Sequence, residues 1–171
     1  MSINTQLAPG GVHVPDQVDV RGPRFAAWIT SAVLLVVLLA SAVSTAAAGA
    51  ILAAQAAVFA LGALRGPRRH PYGKLFATLV APRLGPVTER EPAQPLRFAQ
   101  FIGLLFAIAG VTGFAFGAPL IGVIAAAFAL TAAFLNAAFG ICLGCQVYPL
   151  VAHVRLFGRL HPQQAQTEAG R

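Results

Sequence analysis

The chain has 171 residues, of which 57% are hydrophobic and 10% are charged, whereas an ordinary soluble domain carries roughly a quarter charged residues. No Lys, Arg, Asp or Glu occurs in residues 25–64 or in residues 98–153. Two uncharged blocks of that length exclude a small soluble protein and predict membrane-spanning helices, each of which needs about 20 apolar residues.

The net charge of +7 does not indicate a nucleic-acid partner. Basic residues flank the apolar blocks, where they hold helix ends against anionic lipid headgroups. The sequence contains no recognition helix, RNP-like strand or zinc-finger spacing. We therefore expect the lipid bilayer as the principal partner, and no nucleic acid.

The first apolar block predicts two spans, at about 25–43 and 48–64, joined by an uncharged linker. Residues 1–20 precede them and lack helical or strand periodicity, which predicts a disordered leader. A cleaved signal peptide is an alternative interpretation of the first stretch, because basic residues precede it and small residues follow it. We favour a retained helix, since the stretch is longer than a signal core and a second span follows directly.

Residues 65–97 form a long basic connection that contains one predicted element. The pattern of residues 72–81 predicts a short amphipathic helix, with Pro71 in its first turn and Pro82 at its end. Its apolar face would lie on the membrane surface and would consist of Leu75, Phe76, Leu79 and Val80.

The second apolar block predicts spans at about 98–116 and 120–139. Apolar sequence continues beyond the second of these, so we expect a bend near Gly140 or Gly144. A short helix should follow that is broken or begins around Pro149, and residues 158–171 should form a polar tail.

The predicted fold class is an all-α membrane protein, in which residues 21–157 form a four-transmembrane-helix bundle of two helical hairpins. Four spans place the leader, the long connection and the tail on one side of the membrane, and all 12 Lys and Arg residues fall on that side, whereas none falls in the two short turns. Because basic segments are retained in the cytosol, we expect a plasma-membrane protein with both termini cytosolic. A weak internal repeat accompanies the hairpins: Arg24-Phe25-Ala26 opens the first, and Arg97-Phe98-Ala99 opens the second.

One motif could carry chemistry, Cys142-Leu143-Gly144-Cys145 after the fourth span. Residues three apart share a helix face, so the two sulfurs can form a reversible disulfide. The cytosol keeps thiols reduced, which disfavours a structural disulfide. It favours a pair that cycles with a thioredoxin-like partner or passes sulfur to or from a sulfurtransferase.

Packing is the alternative role for this segment. Cysteine behaves as a small hydrophobe, and Gly140 and Gly144 form a small-xxx-small pair suited to helix contacts. The spacing alone leaves both roles open. Acylation is a weaker possibility. Metal binding is weaker still, because His153 and His161 match no zinc spacing, and we expect neither a metal nor a cofactor.

Two amides lie within the spans, Gln55 in the second and Asn136 in the fourth. Because unpaired amides are costly in hydrocarbon, both should face the bundle interior and form interhelical hydrogen bonds. Asn136 precedes Cys142 by about one and a half turns and could polarise a site beside the thiols. Gly113 and Gly117 are interpreted as packing residues, and His70 as a solvated interfacial side chain.

Several stretches together resemble an uncharacterised family of small bacterial membrane proteins of actinobacterial type, catalogued as domain of unknown function 4395. The resemblance covers about residues 21–156, and its most specific part is the segment from Asn136 to Cys145. It implies that the cysteine pair belongs to a family pattern, which favours a redox role. The stretches that carry it are Arg21-Gly22-Pro23-Arg24-Phe25, Pro71-Tyr72-Gly73, Pro82-Arg83-Leu84-Gly85-Pro86, Arg97-Phe98-Ala99-Gln100 and Asn136-Ala137-Ala138-Phe139-Gly140-Ile141-Cys142-Leu143-Gly144-Cys145.

The sequence thus supports one leading hypothesis and two others. The first is a thiol–disulfide redox or sulfur-handling component that uses Cys142 and Cys145. The second is a non-enzymatic scaffold or accessory subunit, whose basic loop and tail recruit a cytosolic partner. A small transporter is third, because the spans contain no ionisable relay. Homo-oligomerisation stays open.

Overall fold

The computed structural model describes residues 16–151, and four helices in that part of the chain are long and apolar enough to cross a membrane. The predicted all-α four-helix membrane fold is confirmed. In chain order the elements are strand β1 (Gln17–Asp19), helices α1 (Arg21–Ser41) and α2 (Thr45–Arg65), short helix α3 (Pro71–Leu75), strand β2 (Arg90–Pro92), helices α4 (Ala93–Ala115) and α5 (Pro119–Phe139), and helix α6 at residues 143–151.

The four long helices form a four-sided bundle in which each helix has two neighbours. The most extensive contacts join the two hairpins: α2 packs along α4, and α1 packs along α5. Contacts within the hairpins, α4 with α5 and α1 with α2, come next, whereas the diagonal pairs scarcely touch. The bundle is therefore held together mainly by pairing one hairpin against the other.

Small side chains set the spacing between the helices. A Cβ atom at Gly113 would lie 2.7 Å from the backbone nitrogen of Gly122, so glycine permits α4 and α5 to approach closely. Gly117 does not pack in this way; it occupies the turn between these helices with φ of 76°, a conformation that favours glycine. The buried core consists of Leu34, Val37, Ala48, Leu52, Phe59, Ala107, Phe114, Ala126 and Ala129.

One end of the bundle contains the starts of α1 and α4 and the ends of α2 and α5, and we call it the basic end. Every Lys and Arg among residues 16–151 lies there or in the connection that follows α2. The connections at the opposite end, at residues 42–44 and 116–118, are uncharged. The side chains that face outward along the spans are apolar, as lipid contact requires; they include Leu35, Leu39, Ile108, Ile121 and Phe128.

A two-stranded antiparallel sheet closes the basic end, with Gln17 opposite Pro92 and Asp19 opposite Arg90. The sequence places residues 17–19 in a disordered leader, but they form β1 because Val18 is buried and its strand pairs with β2, far along the chain. Residues 1–15 and the tail at 158–171 lie outside the described residues. Removal of α1 as a signal peptide would eliminate both this sheet and the packing of α1 on α5.

The predicted amphipathic helix at residues 72–81 is helical but irregular. Helix α3 passes into a widened π turn at Phe76–Val80 and a final 3₁₀ turn at Ala81–Arg83. The four apolar side chains do not share one environment: Phe76 is buried against Gly22 and Phe25 of α1, whereas Leu79 is 52% exposed. The wider turn rotates the later side chains away from the face that Phe76 occupies.

Candidate redox site and cavity

The paired cysteines lie immediately after a sharp turn. Gly140 ends α5 in the left-handed conformation, with φ of 70°, and its N–H donates to the carbonyl of Asn136. Glycine adopts this conformation without the steric cost other residues incur. The predicted bend near Gly140 is therefore present, but the next helix begins at residue 143 rather than around Pro149, because Cys142 occupies its N-cap.

The N-cap position determines the geometry of the sulfurs. The Cα atoms of Cys142 and Cys145 are 5.2 Å apart, within the range that a disulfide spans, and the pair is in its disulfide form. The backbone N–H of Cys145 also donates to Sγ of Cys142 at 3.3 Å. Negative charge on Cys142 would be stabilised by this donor and by the N-terminus of α6, whereas Cys145 lies one turn inside the helix.

Helix α6 folds back against the first turns of α4. A Cβ atom at Gly144 would lie 2.7 Å from both Cα and Cβ of Ala99, so the glycine of the CxxC motif permits direct backbone contact with α4. The Tyr148 hydroxyl donates to Oε1 of Gln94 at 2.8 Å, and its ring packs 5.8 Å from that of Phe98. Gly144 and Tyr148, rather than the two cysteines, thus provide these contacts with α4.

A cavity of about 780 Å³ extends from the basic end into the bundle. Its inner part lies among α1, α2, α4 and α5, where the lining is apolar and includes Phe59, Phe106, Ala129 and Ala132. Cys142 and Asn136 also line it, whereas Cys145 does not. Cys142, whose sulfur accepts the hydrogen bond from the N–H of Cys145, is therefore also the cysteine at the cavity wall.

Buried polar side chains lie between α2, α4 and the connection that follows α2. Gln55 is 2% exposed, and its Oε1 accepts a hydrogen bond from the Tyr72 hydroxyl at 2.8 Å. The predicted inward orientation of Gln55 is observed, with a partner on α3 rather than on another spanning helix. Asn136 is half-buried on the cavity wall, and its predicted role beside the thiols stays a prediction.

His70 is the principal residue that sequence reasoning misplaced. It was expected to be solvated, but it is 3% exposed, because its ring packs edge-on to Tyr72 and fits against Gly62 of α2. Burial lowers the pKa of His70 from 6.5 to about 4. Its surroundings are formed by tertiary packing, so nothing in the flanking Arg69 and Pro71 signals this burial.

Gln100 lines the cavity together with His70, and it was also missed. Its side chain approaches the same glycine, since a Cβ atom at Gly62 would lie 2.7 Å from Cδ2 of His70 and 3.0 Å from Oε1 of Gln100. Nε2 of His70 and Oε1 of Gln100 are both buried without a hydrogen-bond partner among the described residues. The rule that identified Gln55, an amide within an apolar span, applies equally to Gln100 and could have found it.

The described residues contain no group of three or more His, Cys, Asp or Glu side chains that could hold a metal ion. The groups that the structure places at this site are the two sulfurs, the cavity beside Cys142 and the polar side chains that line it.

Comparison with known proteins places the chain in a family. No curated protein and no solved structure matches it. The family model described as domain of unknown function (DUF4395) matches residues 18–153, a region that includes all four spanning helices and the cysteine pair. The chain is thus a member of the DUF4395 family.

Proposed function

We propose that this protein is a membrane thiol–disulfide exchange component, in which Cys142 and Cys145 cycle between dithiol and disulfide. The observation that carries the proposal is the placement of Cys142 at the N-cap of α6, with its sulfur beside that of Cys145 and within reach of a backbone N–H donor. A sulfur atom so placed is stabilised as a thiolate, which is the nucleophile in thiol exchange.

The exchange reaction balances with these two residues and one partner disulfide. The Cys142 thiolate attacks a sulfur of the partner, whose disulfide breaks and leaves one partner thiolate. Cys145, as a thiolate, then attacks Sγ of Cys142, forms the intramolecular disulfide and releases the second partner thiolate. The membrane pair is oxidised and a thioredoxin-like partner is reduced, or the reverse, according to the two potentials.

Sulfur transfer is a variant of the same chemistry. A sulfurtransferase partner would leave a persulfide on Cys142, and attack by Cys145 on its inner sulfur would release hydrosulfide and form the disulfide. Intact-mass spectrometry distinguishes the two reactions, because only sulfur transfer adds a sulfur atom to the protein before Cys145 reacts.

We also propose that the basic end faces the cytosol of a plasma membrane. The distribution of Lys and Arg supports this orientation, because basic segments flanking transmembrane helices are retained on the cytosolic side. It makes Cys142 and Cys145 accessible to cytosolic partners.

Differential alkylation in membranes tests the function and the orientation together. After mild reduction, we expect both thiols to react with a membrane-impermeant maleimide in inverted vesicles and not in right-side-out vesicles. After incubation with oxidised thioredoxin or a small disulfide, in the absence of denaturant, both thiols should be protected from the maleimide because they have formed a disulfide. The Cys142→Ser and Cys145→Ser variants control for single-thiol labelling. Thiols that never interconvert with a disulfide under these conditions would rule out the exchange function.

A second function, recruitment of a cytosolic partner, is favoured by the surface of the connection between α2 and α4. Leu75, Leu79, Leu84 and Val87 are exposed there, next to exposed basic side chains. A Cys142→Ser/Cys145→Ser variant that retains its cellular phenotype, together with a Leu75→Ser/Leu79→Ser variant that loses it, would favour this scaffold role over thiol exchange.

A further inference from the structure

We propose that the cavity beside Cys142 binds a lipid-soluble quinone, which exchanges two electrons with the Cys142–Cys145 pair. This inference rests on the proposed thiol–disulfide function and names the small-molecule partner of that site. Three features of the cavity carry it: its apolar interior, its unpartnered polar atoms and its sulfur.

The apolar interior determines the solubility of the ligand. Phe59 of α2 and Phe106 of α4 line the inner part, and alanines of α5 complete it. A cavity of about 780 Å³ is within the range of small-molecule sites. Because these walls belong to the membrane-spanning helices, a molecule dissolved in the bilayer is better suited to the space than a polar metabolite.

The unpartnered atoms determine the head group. His70 and Gln100 line the same cavity, and Nε2 of His70 and Oε1 of Gln100 are buried without a partner among the described residues, whereas buried polar atoms are ordinarily hydrogen-bonded. A neutral histidine can donate from Nε2 to a quinone carbonyl, whereas Oε1 of Gln100 can accept from a hydroquinone hydroxyl. The two side chains together thus offer a hydrogen-bond partner to both the quinone and the hydroquinone. A lipid acyl chain has no polar group that could use either partner.

The sulfur determines the chemistry. Cys142 lines the cavity and Cys145 does not, so the sulfur nearest the ligand is the one that carries the stabilised thiolate. In the net reaction, both S–H bonds break and one S–S bond forms. The two electrons and two protons pass to the quinone, whose carbonyl oxygens become the hydroxyls of the hydroquinone. The reverse reaction reduces the disulfide at the expense of hydroquinone.

Binding is tested first without the redox reaction, in the Cys142→Ser/Cys145→Ser variant reconstituted in phosphatidylcholine nanodiscs. The probe is a decyl-substituted benzoquinone, titrated against the nanodisc alone to correct for partitioning into lipid. We expect saturable binding that Ala132→Phe weakens at least tenfold, because the new ring fills the cavity. The matched control is Ala57→Phe, which alters an exposed position on α2 outside the cavity lining. Non-saturable uptake, or equal affinity in both variants, would overturn the proposal.

The head-group contacts are tested with His70→Phe and Gln100→Leu in the same assay. We expect each to weaken binding about fivefold to tenfold while the fold, followed by circular dichroism, is retained. If these two side chains simply pair with each other, both variants would lower thermal stability but leave the quinone affinity unchanged. That result, or mass-spectrometric identification of a phospholipid as the bound molecule, would count against a quinone.

Electron transfer is then measured with the cysteines present. Reduced protein should convert one equivalent of quinone to hydroquinone, with loss of two free thiols, and Ala132→Phe should slow this reaction at least tenfold. Exchange of the same variant with a soluble disulfide should be unaffected. Failure of the quinone reaction with normal disulfide exchange would remove only this inference, whereas inert thiols in both assays would remove the proposed function as well.

Discussion

Arg24 and Arg97 perform the same structural task for opposite hairpins. Arg24 of α1 donates to the carbonyl of Ala138 near the end of α5, at 3.4 Å, and Arg97 of α4 donates to Ala63 and Leu64 at the end of α2, at 2.9 Å each. Each guanidinium therefore supplies donors and positive charge to a helix C-terminus, where unpaired carbonyls and the helix dipole favour a cation. The predicted repeat that begins at these arginines corresponds to equivalent positions in the bundle.

The Arg97 contacts should contribute measurably to stability. We expect Arg97→Gln to destabilise the bundle by about 1–2 kcal/mol, because two hydrogen bonds from a charged group and the interaction with the helix dipole are lost. The measurement is thermal unfolding in detergent, followed by circular dichroism. Arg69→Gln is the control, since the only hydrogen bond of Arg69 within residues 16–151 is made by its backbone N–H to Gly66 and none by its side chain. A loss as large as that of Arg97→Gln would contradict the assignment.

The glycine of the CxxC motif should be required for docking α6. We expect Gly144→Ala to cost about 1–3 kcal/mol and to expose the cysteines to faster alkylation, because the added methyl group would overlap Ala99 of α4. Gly85→Ala is the control, because a Cβ atom at Gly85 meets nothing within 4 Å. Thermal unfolding and maleimide labelling provide the two readouts, and similar behaviour of the two variants would show that α6 does not depend on this contact.

The two cysteines should differ in reactivity. In single-cysteine variants we expect Cys142, left by Cys145→Ser, to react with iodoacetamide several times faster at pH 7 than Cys145, left by Cys142→Ser. The reason is the N–H of residue 145 and the N-terminus of α6, both of which favour the thiolate of Cys142. Quantitative mass spectrometry of the alkylated peptides measures both rates. Faster reaction of Cys145 would reverse the assignment of the attacking sulfur.

Burial of His70 should make stability depend on pH. The pKa of His70 is about 4 in the folded protein and 6.5 in an unfolded chain, so the unfolded state binds a proton first as pH falls. Stability is therefore fully present above pH 6.5 and is lost progressively towards pH 4. Between pH 7.5 and pH 5 the loss should be about 2 kcal/mol.

The control for this pH dependence is His70→Gln, which cannot titrate. Acidic residues such as Glu91, whose pKa is raised mainly by burial, titrate in both proteins and cancel in the comparison. The difference in unfolding free energy between wild type and variant should therefore narrow as the pH falls from 7.5 to 5. A difference that stays constant over this range would show that the buried ring is not desolvated.

The spans could be predicted because the bilayer requires an uncharged and mostly apolar sequence, whatever the tertiary contacts are. This requirement holds between Phe25 and Leu64 and between Phe98 and Phe139. Helices α1 and α4 begin at Arg21 and Ala93, before the apolar stretches, because backbone hydrogen bonding continues past the point where side chains leave the lipid. The bend at Gly140 could also be predicted, since local conformation requires glycine there.

The candidate site could be predicted only in part. Cys142 and Cys145 are three residues apart in sequence, so their proximity follows from helix geometry alone. The burial of His70 depends on the absence of a side chain at Gly62 and on the position of Gln100, and the cavity depends on four helices at once. Strand β1 escaped prediction because its partner, β2, lies far along the chain and neither strand has a strong pattern of its own.

The glycines that end α2 and α5 bear on how a binding partner could recognise the basic end. Gly66 and Gly140 both have positive φ and both lie beside the arginine of the opposite hairpin, so the frame has approximate twofold equivalence. The chain that follows Gly66 contains the buried His70, whereas the chain that follows Gly140 contains Cys142 and Cys145. The two equivalent positions thus lead to side chains of different chemistry, and this difference gives a partner a basis for recognising one hairpin end and not the other.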